Sequence, residues 1–250
     1  MPPLHDRLTR AAVGEDSSKP DHVGHRERLR LRFRKAGPDG LQDYELLELI
    51  LFNAIPRRDV KPLAKALLRQ FRTFADVIAA PRDQLLSVRV EQEGRPPLKA
   101  TERVADEFAM IRAASLQFQM ANVIDRPVIS SWKDLLSYCR STAAYEPIEQ
   151  FRVLFLNNKN ALIADERQQT GTINHTPVYP REVIKRAIAL NAASIILLHN
   201  HPSGDPTPSR ADIEMTKQIV AAARSVDIAV HDHLVIGRGE TASFRSLGLL

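Results

Sequence analysis

The chain has 250 residues, of which 44% are hydrophobic and 26% charged, a balance that is ordinary for a soluble globular protein and excludes global disorder. At this length one large or two small domains are expected, and the single cysteine, Cys139, excludes a disulfide framework, a cysteine-built zinc site and an iron–sulfur cluster within one chain. The formal charge of +5 permits attraction to nucleic acid or acidic lipid without requiring it, and the basic excess sits in the first 120 residues, with 21 Lys and Arg against 17 Asp and Glu.

Residues 1–22 lack the apolar stretch of a signal peptide and read as a disordered tail. No apolar run approaches the roughly 18 residues of a membrane span, so no membrane association is expected and the cytoplasm is the expected compartment. From residue 23 to 120 the pattern is helical. Residues 42–52 and 61–71 repeat apolar side chains at intervals of three and four, 82–88 gives another helical turn, and a last helix is expected over 101–120. Gly37, Pro38, Asp39 and Gly40 separate the first helix from the second, Pro56 separates the second from the third, and 88–100 reads as a polar connection. The expectation is an all-helical module of about five helices.

Residues 121–130 read as a linker, and residues 131–250 as a second domain. Ser130 and Ser131 precede a helix starting at Trp132. Strands are expected at 151–157 and 161–165, joined by an Asn-rich turn, and a helix from Arg181 to Asn191 follows Pro180. The run 194–198 is apolar on both faces, as for a central strand covered on both sides; a helix over 210–224 and a strand over 228–236 complete a mixed sheet flanked by helices. The fold class expected is α+β.

The densest chemistry lies at 199–212. His199 and His201 are two apart at the end of the buried strand, so an extended backbone points both imidazoles to one side. Two neutral imidazoles and a carboxylate such as Asp212 make three protein ligands for zinc and leave a fourth position for water, the mark of a catalytic site. Pro202, Gly204, Pro206 and Pro208 turn the chain so that Asp212 can swing back. A plainer reading stands beside it: Ser209 and Asp212 have capping-box spacing, and helix capping alone would account for both. His231 and His233 form a second pair without a frame of further ligands, and read as hydrogen-bonding sheet residues.

His-x-His, seven residues, then Ser-x-x-Asp resembles the metalloprotease signature of the MPN or JAMM superfamily, complete here at His199, His201, Ser209 and Asp212. With Gly171, Thr172 and the Pro-Arg-Glu-Val at 180–183, the wider pattern is similar to the RadC-like (UPF0758) branch. The resemblance implies a cytidine-deaminase-like α/β/α domain, one zinc ion held by His199, His201 and Asp212, and a catalytic glutamate on the first strand. Glu149 matches that position, with Glu166 in reserve, and hydrolysis independently needs a base to take a proton from water and return it to the leaving amine. Ser209 is implied as an oxyanion stabiliser. The implied activity is cleavage of amide or isopeptide bonds in a protein or peptide substrate. The alternative is a DNA-associated repair or recombination accessory protein with a structural or inactive zinc domain. A zinc deaminase would need a Cys-x-x-Cys pair that one cysteine cannot supply.

The first module resembles the helix-hairpin-helix-like region that precedes this domain in RadC-like proteins, which suggests DNA contact. Such a hairpin grips phosphate with Gly-x-Gly turns, and only Gly94 stands in the matching stretch. Arg26, Arg28, Arg30, Arg32, Arg34 and Lys35 make a basic run suited to weak, nonspecific DNA contact, or simply a solvated helix face.

Overall fold

The structure, a computed structural model, describes residues 24–128, 132–170 and 178–250. The expected tail at 1–22, the capping serines Ser130 and Ser131, and Gly171 with Thr172 lie outside the described residues.

The first unit is built from α1 (His25–Ala36), α2 (Asp43–Ala54), α3 (Lys61–Phe71), α4 (Phe74–Ala79), α5 (Arg82–Ser87) and α6 (Glu102–Val123). Gly37 stops α1 by taking φ 68°, a left-handed conformation that glycine adopts without a Cβ clash. A capping box between Gln42 and Glu45 starts α2. The apolar faces of these helices meet in a core that includes Leu47, Leu51, Leu63, Leu67, Val77 and Phe108.

The unit differs from the expected pattern in two places. The short helix α4 was not foreseen, although Thr73 caps it by accepting from the Asp76 N–H. The polar connection at 88–100 is an antiparallel hairpin, β1 (Arg89–Gln92) with β2 (Arg95–Lys99), turned at Gly94 with φ 67°. Val88, Leu98 and Ala100 are buried while Arg89 and Lys99 are exposed, so side chains alternate as a half-buried strand pair requires. Gly94 is thus a hairpin turn and stands in no Gly-x-Gly loop.

The second unit carries α7 (Trp132–Ala143), β3 (Gln150–Leu156), β4 (Leu162–Thr170), α8 (Pro180–Ala189), β5 (Ser194–Asn200), α9 (Arg210–Arg224), β6 (Ala229–Ile236) and β7 (Thr241–Ser243). The sheet order is β4-β3-β5-β6-β7, antiparallel except for the parallel β5–β6 pair. Every residue of β5 is buried, which follows from its central place between covered faces.

Alternation sorts the strand residues between the two faces. Leu154, Leu156, Ile196, Leu198, Leu234 and Ile236 pack against α7, whereas Phe151, Val153, Phe155, Ile195 and Leu197 pack against α8 and α9. The result is a three-layer α/β/α unit, and with the helical first unit the chain is α+β. Strand β4 runs to Thr170, beyond the expected 165, because β3 offers it partners up to Gln150. Helix α6 runs three residues into the segment expected as a linker. Val123 and Val128 pack into the α7-side core, and Ile124 and Pro127 form bridges to Leu162 and Ala161.

Candidate metal centre

Strand β5 delivers Ile195, Leu197 and then His199 to the α8–α9 face, so the strand that fills the core ends by presenting an imidazole that is 1% exposed. His201 lies just past the strand, and its N–H still donates to Ile236 O at 2.9 Å, which carries the β5–β6 ladder one residue further. Between them Asn200 points the other way. Its Oδ1 accepts from Gln150 N at 2.9 Å and its Nδ2 donates to Ile148 O at 3.1 Å, which fastens the segment holding Glu149 beside the end of β5.

The loop after His201 is seated on the turn after β6. Gly204 O accepts from Arg238 N at 3.3 Å, and a Cβ on Gly237 would fall 2.2 Å from Gly204 O, so only glycine fits at 237. The loop then enters α9 through a capping box. Ser209 Oγ accepts from Asp212 N at 3.2 Å, and Asp212 Oδ2 accepts from Ser209 N at 2.7 Å. The capping arrangement therefore exists, and it holds the Asp212 carboxylate, on a residue 9% exposed, facing the two histidines.

His199 Nε2 and His201 Nε2 are 2.9 Å apart. Asp212 Oδ1 lies 3.4 Å from the first and Oδ2 lies 3.6 Å from the second. One ligand atom from each of the three residues falls within 4.8 Å of the others, the metal-type cluster found among the described residues. Tetrahedral ligands at about 2.0–2.1 Å from one zinc ion sit about 3.3 Å from one another, and the three separations bracket that value. The donor set fits as well. His201 Nδ1 is 2.7 Å from Asp205 O, a carbonyl that can only accept, so the ring's proton is fixed on Nδ1 and Nε2 is the nitrogen left for a cation.

The electrostatics carry the same imprint. Burial acts to raise the Asp212 carboxyl, but hydrogen bonds with His199 and His201 outweigh it and hold the carboxyl far below the usual carboxylate range. The Asp212 carboxylate in turn raises His201 above its ordinary value, against the effect of burial.

Among the other residues singled out from sequence, Glu149 is half-buried just before β3, and its charge contributes to raising His201. Glu166 faces α8, where Arg186 grips it through Nε at 2.7 Å and Nη2 at 2.6 Å. That pair, chiefly through the hydrogen bond from Arg186, holds the Glu166 carboxyl down, a poor setting for a proton carrier. His231 Nε2 pairs with Asn160 Oδ1 at 2.7 Å, and His233 is a fully buried sheet residue hydrogen-bonded on both ring nitrogens.

The basic run is partly spent within the first unit. Arg26 donates to Ile55 O at 2.6 Å and Arg58 O at 2.7 Å, closing the end of α2, and its guanidinium lies 4.4 Å from the Phe52 ring centroid. Arg32 pairs with Glu45, and Arg34 pairs with Glu27 at 3.4 Å. Sequence reasoning passed over Thr216 and placed His233 only as a sheet residue, yet both adjoin the cluster. The signal available was the i, i+4 spacing of Asp212 and Thr216 on one face of α9.

A family described as the RadC-like JAB domain matches residues 129–249. A UPF0758 protein of Rhodobacter capsulatus is 54% identical over 222 residues, which is 89% of this chain and 100% of that protein.

Proposed function

The chain belongs to the RadC-like UPF0758 family, and from that membership we propose that its second unit is a zinc-dependent hydrolase of amide or isopeptide bonds in a protein or peptide substrate, acting in the cytoplasm. The observation that carries the reading is the convergence of His199 Nε2, His201 Nε2 and the Asp212 carboxylate with metal-like separations at the end of a buried strand.

These three side chains would hold the ion, which when bound would supply a Lewis acid that polarises a carbonyl and lowers the pKa of water. The chain's own residues would do the rest. The Glu149 carboxylate, on the segment that Asn200 clamps and near enough for its charge to raise His201, would take a proton from the attacking water and pass it to the leaving amine. Ser209 Oγ accepts from Asp212 N and keeps its own proton, so its hydroxyl is free to donate to a developing oxyanion.

The test is zinc titration of the purified protein, followed by assay against linear and lysine-linked peptide substrates. One zinc per chain is expected, with Glu149→Gln keeping the metal while hydrolysis falls on the order of a hundredfold. Failure of the wild-type chain to take up zinc would sink the reading.

DNA contact is a second proposal, favoured by the exposed positions of Arg28, Arg34 and Lys35 on α1. With Arg26 turned inward, it falls to the remainder of the run. Any such affinity should drop steeply with added salt.

A further inference from the structure

We infer that His233 and Thr216 are positioning residues that fix the tautomer of His199, turning its Nε2 lone pair toward the ion. The inference rests on the metal reading above and concerns residues that reading does not use.

Four groups are linked in series. Thr216 Oγ1 is 2.6 Å from Asp212 O and 2.7 Å from His233 Nδ1, and His233 Nε2 is 2.8 Å from His199 Nδ1. The direction of the series is set at its first member. A backbone carbonyl has no proton to give, so the single hydroxyl proton of Thr216 must point to Asp212 O. Thr216 Oγ1 is then an acceptor toward His233, whose proton must sit on Nδ1. Turning the hydroxyl the other way would leave two oxygens 2.6 Å apart with no proton between them.

His233 is 0% exposed, with the Phe244 ring stacked on it at 4.4 Å and Phe151 edge-on at 5.9 Å. Shut away from water between these two rings, the imidazole carries a single proton, so a proton on Nδ1 leaves Nε2 bare. That nitrogen can only accept, which places the proton of His199 on Nδ1 and leaves His199 Nε2 as a lone pair. It faces His201 Nε2, whose own ring is set the same way by the Asp205 carbonyl. Two lone pairs facing each other at 2.9 Å with a carboxylate beside them call for a positive charge between them, a proton in the metal-free chain or a metal ion in its place. Asp212 stands at both ends of the series, its main-chain carbonyl ordering the protons and its carboxylate facing the space they leave.

Two measurements test this on the full chain. In zinc-free protein at mildly alkaline pH, nitrogen-15 spectra of the imidazoles should show His233 and His199 protonated on Nδ1; the opposite tautomer at His199 overturns the inference whether or not the protein binds zinc. Zinc affinity, read by competition with a chromophoric chelator, should fall by about 10- to 100-fold in Thr216→Val and in His233→Phe. Thr216→Ser should restore it, and Ile219→Val, a core change on the same helix, should leave it unmoved. Wild-type binding with equal affinity in Thr216→Val overturns the relay while leaving the metal site standing. A wild-type chain that binds no zinc defeats the metal reading instead, and a Thr216→Val chain that does not fold leaves the spectra of the wild type to decide.

Discussion

The two faces of the sheet each bury a polar cluster, and the clusters are built on opposite principles. On the α7 face, Asp165 accepts from Arg152 Nε at 3.1 Å and Nη2 at 2.9 Å, and from Tyr138 Oη at 2.6 Å. Burial and the Asp165 charge push the Tyr138 phenol up, and Arg152 is raised because Asp165 more than offsets the effect of burial. Opposite charges meet and the donors find acceptors, so nothing further is called for. On the α8–α9 face, two imidazole nitrogens and a carboxylate converge as electron-pair donors, and each is held there by a partner behind it. A cluster that satisfies itself stabilises a fold. One that is satisfied everywhere except toward a shared point is built for a guest.

The contrast predicts different responses to the loss of one acid. Asp165→Ala takes the counter-charge from the largely buried Arg152 guanidinium and should cost about 3–5 kcal/mol in denaturant unfolding, while zinc uptake by the folded fraction is expected to match that of the unaltered chain. A loss below about 1 kcal/mol would mean that the α7-side cluster is not the structural one.

Glu48, fully buried in the first unit, sharpens the rule with a smaller effect. His25 Nε2 meets its Oε2 at 2.6 Å, but Oε1 has no partner among the described residues. Burial raises this carboxyl despite His25. The folded chain therefore holds the proton at pH values where the unfolded chain has lost it. Stability from this group is fully present below about pH 4.3 and is lost as pH rises through the folded value. Glu48→Gln should flatten that part of the stability profile, and an unchanged slope would remove Glu48 as its source.

A smaller change in stability is expected at the candidate site itself. Asp212→Asn keeps an acceptor for Ser209 N and gives up a charge near a helix start together with the carboxylate's contacts to His199 and His201, a cost of about 1–2 kcal/mol. Zinc measured by elemental analysis should nonetheless be lost. Retention of full zinc would break the comparison, because the carboxylate would then be only a cap.

The candidate ligands were legible because they sit within one short stretch, where strand parity and helix spacing fix the geometry locally. Helix α9 falls at the expected 210–224 for the same reason. The series through His233 was not legible. It depends on β5–β6 register, and a bulge at His231, between the pairs Ile195–Val230 and Ile196–Asp232, resets which side chains of β6 face α9. The β1–β2 hairpin was hidden by Pro96 and Pro97, which read as breakers in a chain but are tolerated in a strand with a free edge. Strand β7 covers only three residues, too few for alternation to show.

The order of parts along the chain has a consequence for how the site comes into being. Glu149, His199, His201, Ser209 and Asp212 all precede β6, while the parts that seat them, namely Ile236 under His201, Gly237 against Gly204, and His233 beneath Phe244, come after Arg224. A nascent chain that has emerged as far as α9 would display every donor atom and still lack the wall against which two of them are aimed. Capture of the ion would then be a late event in synthesis, waiting on a strand that contributes no ligand.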